Sequence, residues 1–345
     1  MSLLEIKGLE TEFQTEQGVV KALRGINYTV DRGEVLGIVG ESGSGKSVGM
    51  LSLMGLLAPN GTVTAGEMIF DGEDISPIKY KTKKEKKEYE KKMNQIRGND
   101  ISMIFQDPMS YLNPIVTIEK QMTEGIRFHT KCSKKEAVQR AVELMKMVGI
   151  PAPESRLKQY PFEFSGGMRQ RIIIAIALAC NPKLIVADEP TTALDVTVQA
   201  QILDLLKDIT KESNAGVIII THDLGVVASL CDRISIMYGG NIMEEGTTDE
   251  IFYDPKHPYT KGLLNSIANS NVDHRESLKP IPGTPPDLLK LGNQCPFASR
   301  CSEAMEICTK ASPLVTEFGE KHKCKCWLHC KDRWHEVWKG EDAYE

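Results

Sequence analysis

The sequence predicts an α/β fold, followed by a separate cysteine-rich segment towards the C-terminal end. Short and continuously apolar stretches occur at Val35–Val39, Leu184–Ala187 and Val217–Thr221. Continuous apolarity is typical of strands that are buried on both faces, as in a parallel sheet. Residues 113–180 are mostly helical in pattern, and Ser133–Val148 has apolar positions at helical spacing. We therefore predict a helical insertion between the strands of an α/β core.

The composition limits the class of protein. The chain has 345 residues, so that two or three domains are expected at roughly 100–200 residues per domain. Apolar residues make up 41% and charged residues 26%, which excludes a wholly disordered, collagen-like or fibrous chain. The net charge of −5 excludes a uniformly basic nucleic-acid binder.

Neither a membrane span nor a targeting signal is apparent. The longest fully apolar run, Ile172–Cys180, has nine residues, whereas crossing a bilayer takes ~20. Met1–Phe13 lacks a basic stretch followed by an apolar one. We therefore expect no signal peptide, no transmembrane helix and a cytoplasmic location.

A basic segment, Lys79–Arg97, holds nine basic and three acidic residues. A solvated helix on an insertion is the favoured interpretation, because the segment has only two aromatic residues, Tyr80 and Tyr89, and they are not regularly interleaved with the charges as in nucleic-acid sites. Contact with an anionic membrane or a nucleic acid remains the alternative.

A phosphate-binding loop follows the strand Val35–Val39 and precedes an apolar helix. It matches the pattern G-x-x-x-x-G-K-[ST] at every position, which is the context that this motif requires. Its glycines allow successive backbone N–H groups to point at phosphate oxygens, and the helix N-terminus adds a positive dipole end. Lys46 is expected to reach the β- and γ-phosphates, and the Ser47 hydroxyl to bind Mg²⁺. The loop consists of Gly40, Glu41, Ser42, Gly43, Ser44, Gly45, Lys46 and Ser47.

Two carboxylates end the strand Leu184–Ala187. At this position Asp188 is expected in the Mg²⁺ shell, whereas Glu189 turns towards the γ-phosphate. Glu189 is then the candidate general base that polarises the attacking water.

A second phosphate-binding arrangement precedes the apolar helix that starts near Ile172. Ser165, Gly166 and Gly167 would expose a hydroxyl and backbone N–H groups at a helix start. Because the chain has a single phosphate loop, this second contact to a γ-phosphate implies that two chains share their nucleotides.

With these motifs, the sequence resembles the ATP-binding subunit of ABC transporters over nearly its first 225 residues. The resemblance implies a RecA-like core with a phosphate loop over residues 1–255, and a helical subdomain at about 107–180. The usual signature, Leu-Ser-Gly-Gly-Gln, is altered at its ends to Phe164 and Met168. Six elements occur in the family's order, namely the phosphate loop, Gln106, the Ser165–Gly167 signature, Asp188-Glu189, Asp195 and His222.

The resemblance also implies roles for residues that the motifs alone do not assign. Gln106 would contact Mg²⁺ and the attacking water and couple the site to membrane subunits. Asp195 would organise the dimer interface, and His222 would position the γ-phosphate. The adenine usually stacks on an aromatic residue some thirty positions before the lysine, which makes Phe13 the candidate, with Val19 close behind it.

Further segments resemble one branch of this family, the peptide-importer ATPases. The branch implies peptide import, two permeases, an extracellular substrate-binding protein and a second, usually different ATPase subunit, with the chain peripheral on the cytoplasmic face of the membrane. Nucleic acid is not an expected partner. Met168 fits this branch, as do Arg97-Gly98, Ile101–Met109, Leu112-Asn113-Pro114 and His257–Lys261.

Several functional alternatives remain open from the sequence. A nickel or nickel-chelate importer belongs to the same branch, and the sequence does not name the cargo. A soluble ABC ATPase of DNA repair or translation is disfavoured by the short helical region and the single cassette. A protein that holds ATP without turnover is disfavoured by the intact Glu189 and His222.

The nine cysteines are unevenly distributed. Cys132, Cys180 and Cys231 are expected to be small buried hydrophobic residues. The other six lie between Cys295 and Cys330, after a proline-rich linker. They define a module at about 290–330 within a C-terminal extension, 256–345. None of the six nucleotide elements lies beyond His222, so that ATPase activity is expected to persist when these cysteines are replaced, if the module folds as a tail.

Thiolates suit Zn²⁺ or iron–sulfur clusters, and the wide cysteine spacing alone does not choose between them. The resemblance to the peptide-importer branch implies a [4Fe–4S] cluster with a structural role, held by Cys295, Cys301, Cys308 and Cys326. Cys324 is the alternative fourth ligand, Cys330 is expected to be spare, and Zn²⁺ or unligated thiols remain the alternatives.

Overall fold

A computed structural model describes residues 2–105, 111–191, 196–266 and 281–337. The strands are β1 (Leu4–Thr15), β2 (Gly18–Val30), β3 (Val35–Val39), β4 (Gly61–Phe70), β5 (Glu73–Asp74), β6 (Ile101–Ile104), β7 (Leu184–Asp188), β8 (Gly216–Thr221), β9 (Arg233–Tyr238), β10 (Asn241–Thr247), β11 (Val315–Glu317) and β12 (Lys323–Lys325). The α-helices are α1 (Lys46–Met54), α2 (Lys83–Ile96), α3 (Ile118–Thr130), α4 (Lys134–Met147), α5 (Pro153–Arg156), α6 (Gly166–Ala177), α7 (Val196–Ser213), α8 (Leu224–Leu230), α9 (Thr248–Tyr253), α10 (Pro258–Asn265) and α11 (Glu306–Lys310).

The chain divides into two compact units. The first unit consists of Met1–Glu5, Thr29–Leu36 and Ile69–Thr221. The second unit consists of Ile6–Tyr28, Gly37–Met68 and His222–Glu345. No helix in the described ranges combines the length and the apolar character that spanning a bilayer requires.

The first unit contains a buried parallel sheet. Strand β7 pairs in parallel with β6 on one side and with β8 on the other, with Ala187 opposite Ile104 and Asp188 opposite Ile220. Every residue of β7 and β8 is buried. The continuous apolarity of these two strands is therefore explained by burial on both faces, and the predicted parallel arrangement is confirmed.

Helices dominate the same unit between β6 and β7. The helix predicted at Ser133–Val148 is α4, which begins after Ser133 because that side chain and Glu136 form a capping box. The apolar run Ile172–Cys180 extends three residues beyond its helix, because α6 ends at Ala177.

The basic segment forms α2. A capping box between Thr82 and Glu85 starts the helix, which buries Tyr89, Met93 and Ile96. Five lysines of the helix are exposed, namely Lys83, Lys84, Lys86, Lys87 and Lys91. This distribution matches the solvated helix that we favour from the sequence.

The second unit contains strands of two sheets. Strand β1 lies between β2 and β4 in one of them. In the other, β10 pairs with β9 on one side and with β12 on the other, and β12 pairs in turn with β11. The cysteine-rich segment therefore adds two strands beside β10.

A buried carboxylate secures this arrangement in the second unit. Glu244 of β10 accepts hydrogen bonds from the backbone N–H groups of Lys256, at 2.6 Å, and His257, at 2.9 Å. Its Oε1 also lies 2.8 Å from Nε2 of His322, next to β12. Because a buried carboxylate needs such partners, Glu244 fixes α10 and the C-terminal hairpin to the same strand.

Candidate nucleotide site

The phosphate loop connects the buried strand β3 with α1, in the context that the motif predicts. Two glycines are required by close packing. A Cβ on Gly40 would lie 2.0 Å from the backbone oxygen of Met237. Gly45 has a φ of 104°, and a Cβ there would lie 2.8 Å from the oxygen of Ala22. Larger residues are therefore excluded from both ends of the loop.

Lys46 is a buried cation at the first position of α1. Its Nζ donates hydrogen bonds to the backbone oxygens of Gly40, at 2.6 Å, and Glu41, at 2.9 Å. The ammonium group is therefore held inside the curve of its own loop, where a phosphate anion would meet it. Ser47 follows in the first helical turn and is half-buried.

The second residue of the loop is held by residues far along the chain. The Glu41 N–H donates to Oη of Tyr259 at 3.1 Å. Oε2 of Glu41 accepts a hydrogen bond from Nη1 of Arg300 at 2.7 Å, and the same nitrogen donates to Oη of Tyr238 at 3.0 Å. No motif in the sequence predicts Arg300 as a neighbour of the loop.

The acidic pair lies at the end of β7, in the first unit. Asp188 is buried, at 8% exposure, and Glu189 is half-buried. Glu189 has a φ of 46°, in the left-handed region, and its N–H donates to the oxygen of Ile220 at 2.8 Å. A non-glycine residue in this region is strained by roughly 1–3 kcal/mol. The chain therefore turns at Glu189, directly after the end of β7.

The signature segment starts α6 in the same unit. Ser165 is the N-cap, and its Oγ accepts a hydrogen bond from the Met168 N–H at 3.4 Å. Ser165 and Gly166 are exposed, whereas Phe164 is buried, at 3% exposure. Phe164 therefore fills an apolar position, and its departure from the usual leucine leaves the exposed serine–glycine surface unchanged.

His222 is exposed and lies directly after β8. The next residue, Asp223, caps α8, because its carboxylate accepts a hydrogen bond from the Gly225 N–H at 2.8 Å.

Phe13 lies half-buried on β1, and its ring is 2.7 Å from the position that a Cβ on Gly61 would occupy. Gln106 and Asp195 lie outside the described residues.

Comparisons with known proteins identify the family of this chain. The sequence profile of the ABC transporter family matches residues 23–192. The oligopeptide transport ATP-binding protein OppD of Bacillus subtilis is 52% identical over 327 residues, covering 94% of this chain and 88% of that protein. The chain belongs to the ATP-binding subunits of ABC transporters. It is therefore an ABC-type ATPase.

Other members of the family extend the likeness to the complete chain and to the fold. The dipeptide transport ATP-binding protein DppD of Bacillus subtilis is 48% identical and covers 98% of both chains. A dimeric structure of the ATP-binding cassette MJ0796, bound to ADP and phosphate, has a TM-score of 0.61 at 29% identity and covers 71% of this chain and 98% of that one. These likenesses confirm the predicted ABC ATPase fold.

The C-terminal part of this ABC subunit has a match of its own. The profile of the oligopeptide/dipeptide transporter C-terminal region covers residues 243–308. It includes Arg300 and the first three cysteines of the C-terminal segment, Cys295, Cys301 and Cys308.

The four cysteines predicted as ligands lie near one another in the second unit. The Cys295 N–H donates to the backbone oxygen of Cys308 at 2.9 Å. Burial raises the pKa of Cys295 to about 12, and the neighbouring sulfurs of Cys308, Cys326 and Cys301 contribute to this rise.

The Cys308 sulfur accepts a hydrogen bond from the Met305 N–H at 3.4 Å. The backbone N–H groups of Phe297, Glu303 and Leu328 lower the pKa of Cys295, Cys301 and Cys326, respectively. Such bonds lower the pKa of a thiol and stabilise the thiolate that binds a metal.

The side chains of Cys324 and Cys326 interact, and this interaction lowers the pKa of Cys326 and raises that of Cys324. Among the described residues, no group of three His, Cys, Asp or Glu side chains has a geometry that could hold a single metal ion.

The three other cysteines differ from one another. Cys231 is buried, as predicted, whereas Cys132 and Cys180 are only half-buried. Cys180 lies beyond the end of α6, which explains why the apolar run around it does not bury it fully.

Proposed function

We propose that this chain binds and hydrolyses ATP to energise peptide import through an ABC transporter. The observation that carries the proposal is the 52% identity to an oligopeptide transport ATP-binding protein across 94% of the chain. The intact phosphate loop and the acidic pair after β7 support turnover in addition to binding. The likeness to peptide transport proteins favours peptide over nickel as cargo and a transporter subunit over an ATPase without permeases.

The chemistry follows from the residues of each unit. Backbone N–H groups of the phosphate loop and the Lys46 ammonium group would bind the β- and γ-phosphates. Mg²⁺ prefers oxygen ligands, and the Ser47 hydroxyl, the Asp188 carboxylate and the Gln106 amide oxygen are the groups proposed to supply them. Bound Mg²⁺ would neutralise phosphate charge. Glu189 would orient water and accept its proton, and His222 would hold the γ-phosphate.

The adenine contact is proposed for Phe13. An aromatic face offers stacking to a purine. The close approach of this ring to Gly61 supports a fixed ring orientation on β1.

A second ATPase subunit would complete each nucleotide site. Exposure of Ser165 and Gly166 at the start of a twelve-residue helix supports binding of a γ-phosphate held by another chain. Asp195 is proposed at that dimer interface. A heterodimer, two permeases and an extracellular substrate-binding protein complete the proposed assembly, with this chain peripheral on the cytoplasmic face of the membrane.

The test is reconstitution of this chain with the partner ATPase and the permeases in liposomes. Peptide, delivered by its binding protein, should stimulate ATP hydrolysis and enter the vesicles. The Lys46→Ala variant should abolish both activities, since it removes the cation that binds the phosphates. Hydrolysis without peptide entry, or transport of nickel chelates alone, would contradict the assignment of peptide as cargo.

For the C-terminal module we infer a [4Fe–4S] cluster held by Cys295, Cys301, Cys308 and Cys326. Four neighbouring thiols fit this group, since such clusters are held by four cysteine thiolates. The bound cluster would supply a covalent cross-link to an extension, proposed at 256–345, that follows the ATPase domain, proposed at 1–255.

A further inference from the structure

We propose that Arg300 is a positioning residue for ATP binding: it holds the phosphate loop in its binding conformation through Glu41. The inference rests on the proposed function, in that the loop is taken to bind ATP. It adds a C-terminal residue to those that hold the phosphate loop in place.

The contact is shielded and has a defined geometry. The Arg300 side chain is 6% exposed and the Glu41 side chain 24% exposed, with Nη1 and Oε2 2.7 Å apart. Shielded, hydrogen-bonded ion pairs are coupled more strongly than the exposed pairs typical of protein surfaces. The pair can therefore transmit a restraint from the C-terminal region to the loop.

Arg300 uses its other nitrogens to bind the chain segment before the module. Nε donates to the oxygen of Pro282 at 2.9 Å, and Nη2 donates to the oxygen of Ile281 at 3.2 Å. A little further on, Pro285 and Pro286 line a small cavity together with Glu41 and the three loop residues that follow it. One guanidinium group thus joins this segment to the phosphate loop.

Tyrosines complete the support of the loop. Tyr259 is fully buried and accepts the Glu41 N–H, while the Tyr238 ring lies 4.5 Å from the Tyr259 ring. Both the backbone and the side chain of Glu41 are therefore fixed from outside the loop. Such restraint reduces the conformational freedom that the loop would otherwise lose on binding phosphate.

The chain segment before the module has a second attachment that does not involve Arg300. Arg24 donates hydrogen bonds to the backbone oxygens of Leu291, at 2.7 Å, Gly292, at 3.1 Å, and Leu288, at 3.3 Å. Replacing Arg300 should therefore leave the segment attached.

The experiment measures the Kd for Mg·ATP of the full-length chain by titration calorimetry. Arg300→Ala should raise the Kd about three- to tenfold, within the usual range for residues that couple to a site without touching the ligand. Arg300→Lys should restore part of the affinity, because it keeps the charge but not the forked donor geometry. The control is Arg333→Ala, which breaks an exposed ion pair with Glu336 and should leave the Kd unchanged.

A double-mutant cycle tests whether the effect passes through Glu41. Glu41→Gln removes the charge but keeps the backbone N–H that Tyr259 binds. If the two residues act as a pair, Arg300→Ala combined with Glu41→Gln should raise the Kd no more than the larger single change does. Multiplicative effects would overturn the proposal.

Two readouts separate positioning from loss of folding. In the reconstituted transporter, Arg300→Ala should raise the KM for ATP while kcat stays within about twofold. Reactivity of the module cysteines with a thiol reagent should match the wild type. If Arg300→Ala does not fold, Glu41→Gln alone decides: an unchanged Kd overturns the proposal, and a raised one supports it. Wild-type chain that binds no ATP would instead contradict the proposed function.

Discussion

Nε2 of Gln170 donates a 2.7 Å hydrogen bond to the backbone oxygen of Pro190. Gln170 lies on α6, which begins at the signature, and Pro190 directly follows Glu189. The proposed signature helix α6 is thereby hydrogen-bonded to the residue after Glu189, the proposed general base of this chain. We therefore expect a shift of α6, caused by a nucleotide on the partner, to alter hydrolysis by Glu189.

Glu189→Gln should bind ATP and remain in the closed dimer but hydrolyse slowly. The charge that orients water is lost while Lys46 and the Mg²⁺ ligands remain. Loss of a general base lowers the rate by ~10²–10⁴, which a phosphate-release assay on the reconstituted complex measures. Near wild-type turnover would show that another group is the base.

Ser165→Arg should abolish hydrolysis at the site completed by this chain's signature, because a large cation replaces the exposed phosphate-binding surface. Binding of ATP to the isolated chain should persist, since Lys46 belongs to a different site. Ser165→Ala is the matched control. It removes the helix cap, at a cost of about 0.5–2 kcal/mol, without blocking the surface. Loss of ATP binding in the isolated Ser165→Arg chain would argue against a shared site.

Cys301→Ser should remove a brown chromophore from protein purified without oxygen. Wild-type protein should contain about four irons and four sulfides per chain. Cys295, Cys308 and Cys326 should behave in the same way, whereas Cys330→Ser should keep the colour. Colourless wild-type protein with one zinc would replace the cluster by a zinc site. Colour lost in Cys324→Ser but kept in Cys326→Ser would reverse the choice of the fourth ligand.

Protonation of His257 should destabilise the fold in acid. Burial lowers the pKa of His257 to about 3, whereas in the unfolded chain it is about 6.5. The neutral ring caps α10, since its Nδ1 accepts the Tyr259 N–H at 2.9 Å. The folded pKa is the lower one, so that this contribution is complete above pH 6.5 and is lost as the pH falls towards 3.

The corresponding slope is about 1.4 kcal/mol per pH unit. Urea unfolding should therefore give wild-type protein roughly 2 kcal/mol less stability at pH 5 than at pH 7 from this group. His257→Asn keeps a capping oxygen without titrating, and its pH dependence should be shallower by that amount. Equal pH dependence of both proteins would show that His257 is protonated in the fold.

The sequence was sufficient for features with local signatures. The continuous apolarity of β7 and β8 in the sequence predicted that these strands are buried. The phosphate loop was predicted from its residue spacing, which is fixed because its backbone must curve around phosphate. The signature start was also visible, since Ser165 caps the helix that the two glycines begin. These features depend on neighbours within a few residues.

The contact between Arg300 and Glu41 had no such signature. The two residues are 259 positions apart, and neither residue type is unusual in its local sequence. Only the packing of α10 and of the segment after it reveals that a residue next to a predicted cluster ligand touches the phosphate loop. A change at Cys301 is therefore expected to weaken ATP binding through Arg300, contrary to what a tail-like module would show.

Strand β12 protects a sheet edge. If the chain ended after β10, the N–H and C=O groups that now pair Glu244 with Cys324 and Glu245 with Lys323 would be open to strands of other molecules. The Glu244 carboxylate would at the same time lose His322. An isolated cassette shortened in this way would be prone to aggregation for reasons unrelated to its nucleotide chemistry. The C-terminal hairpin thus covers a sheet edge as well as carrying Cys324.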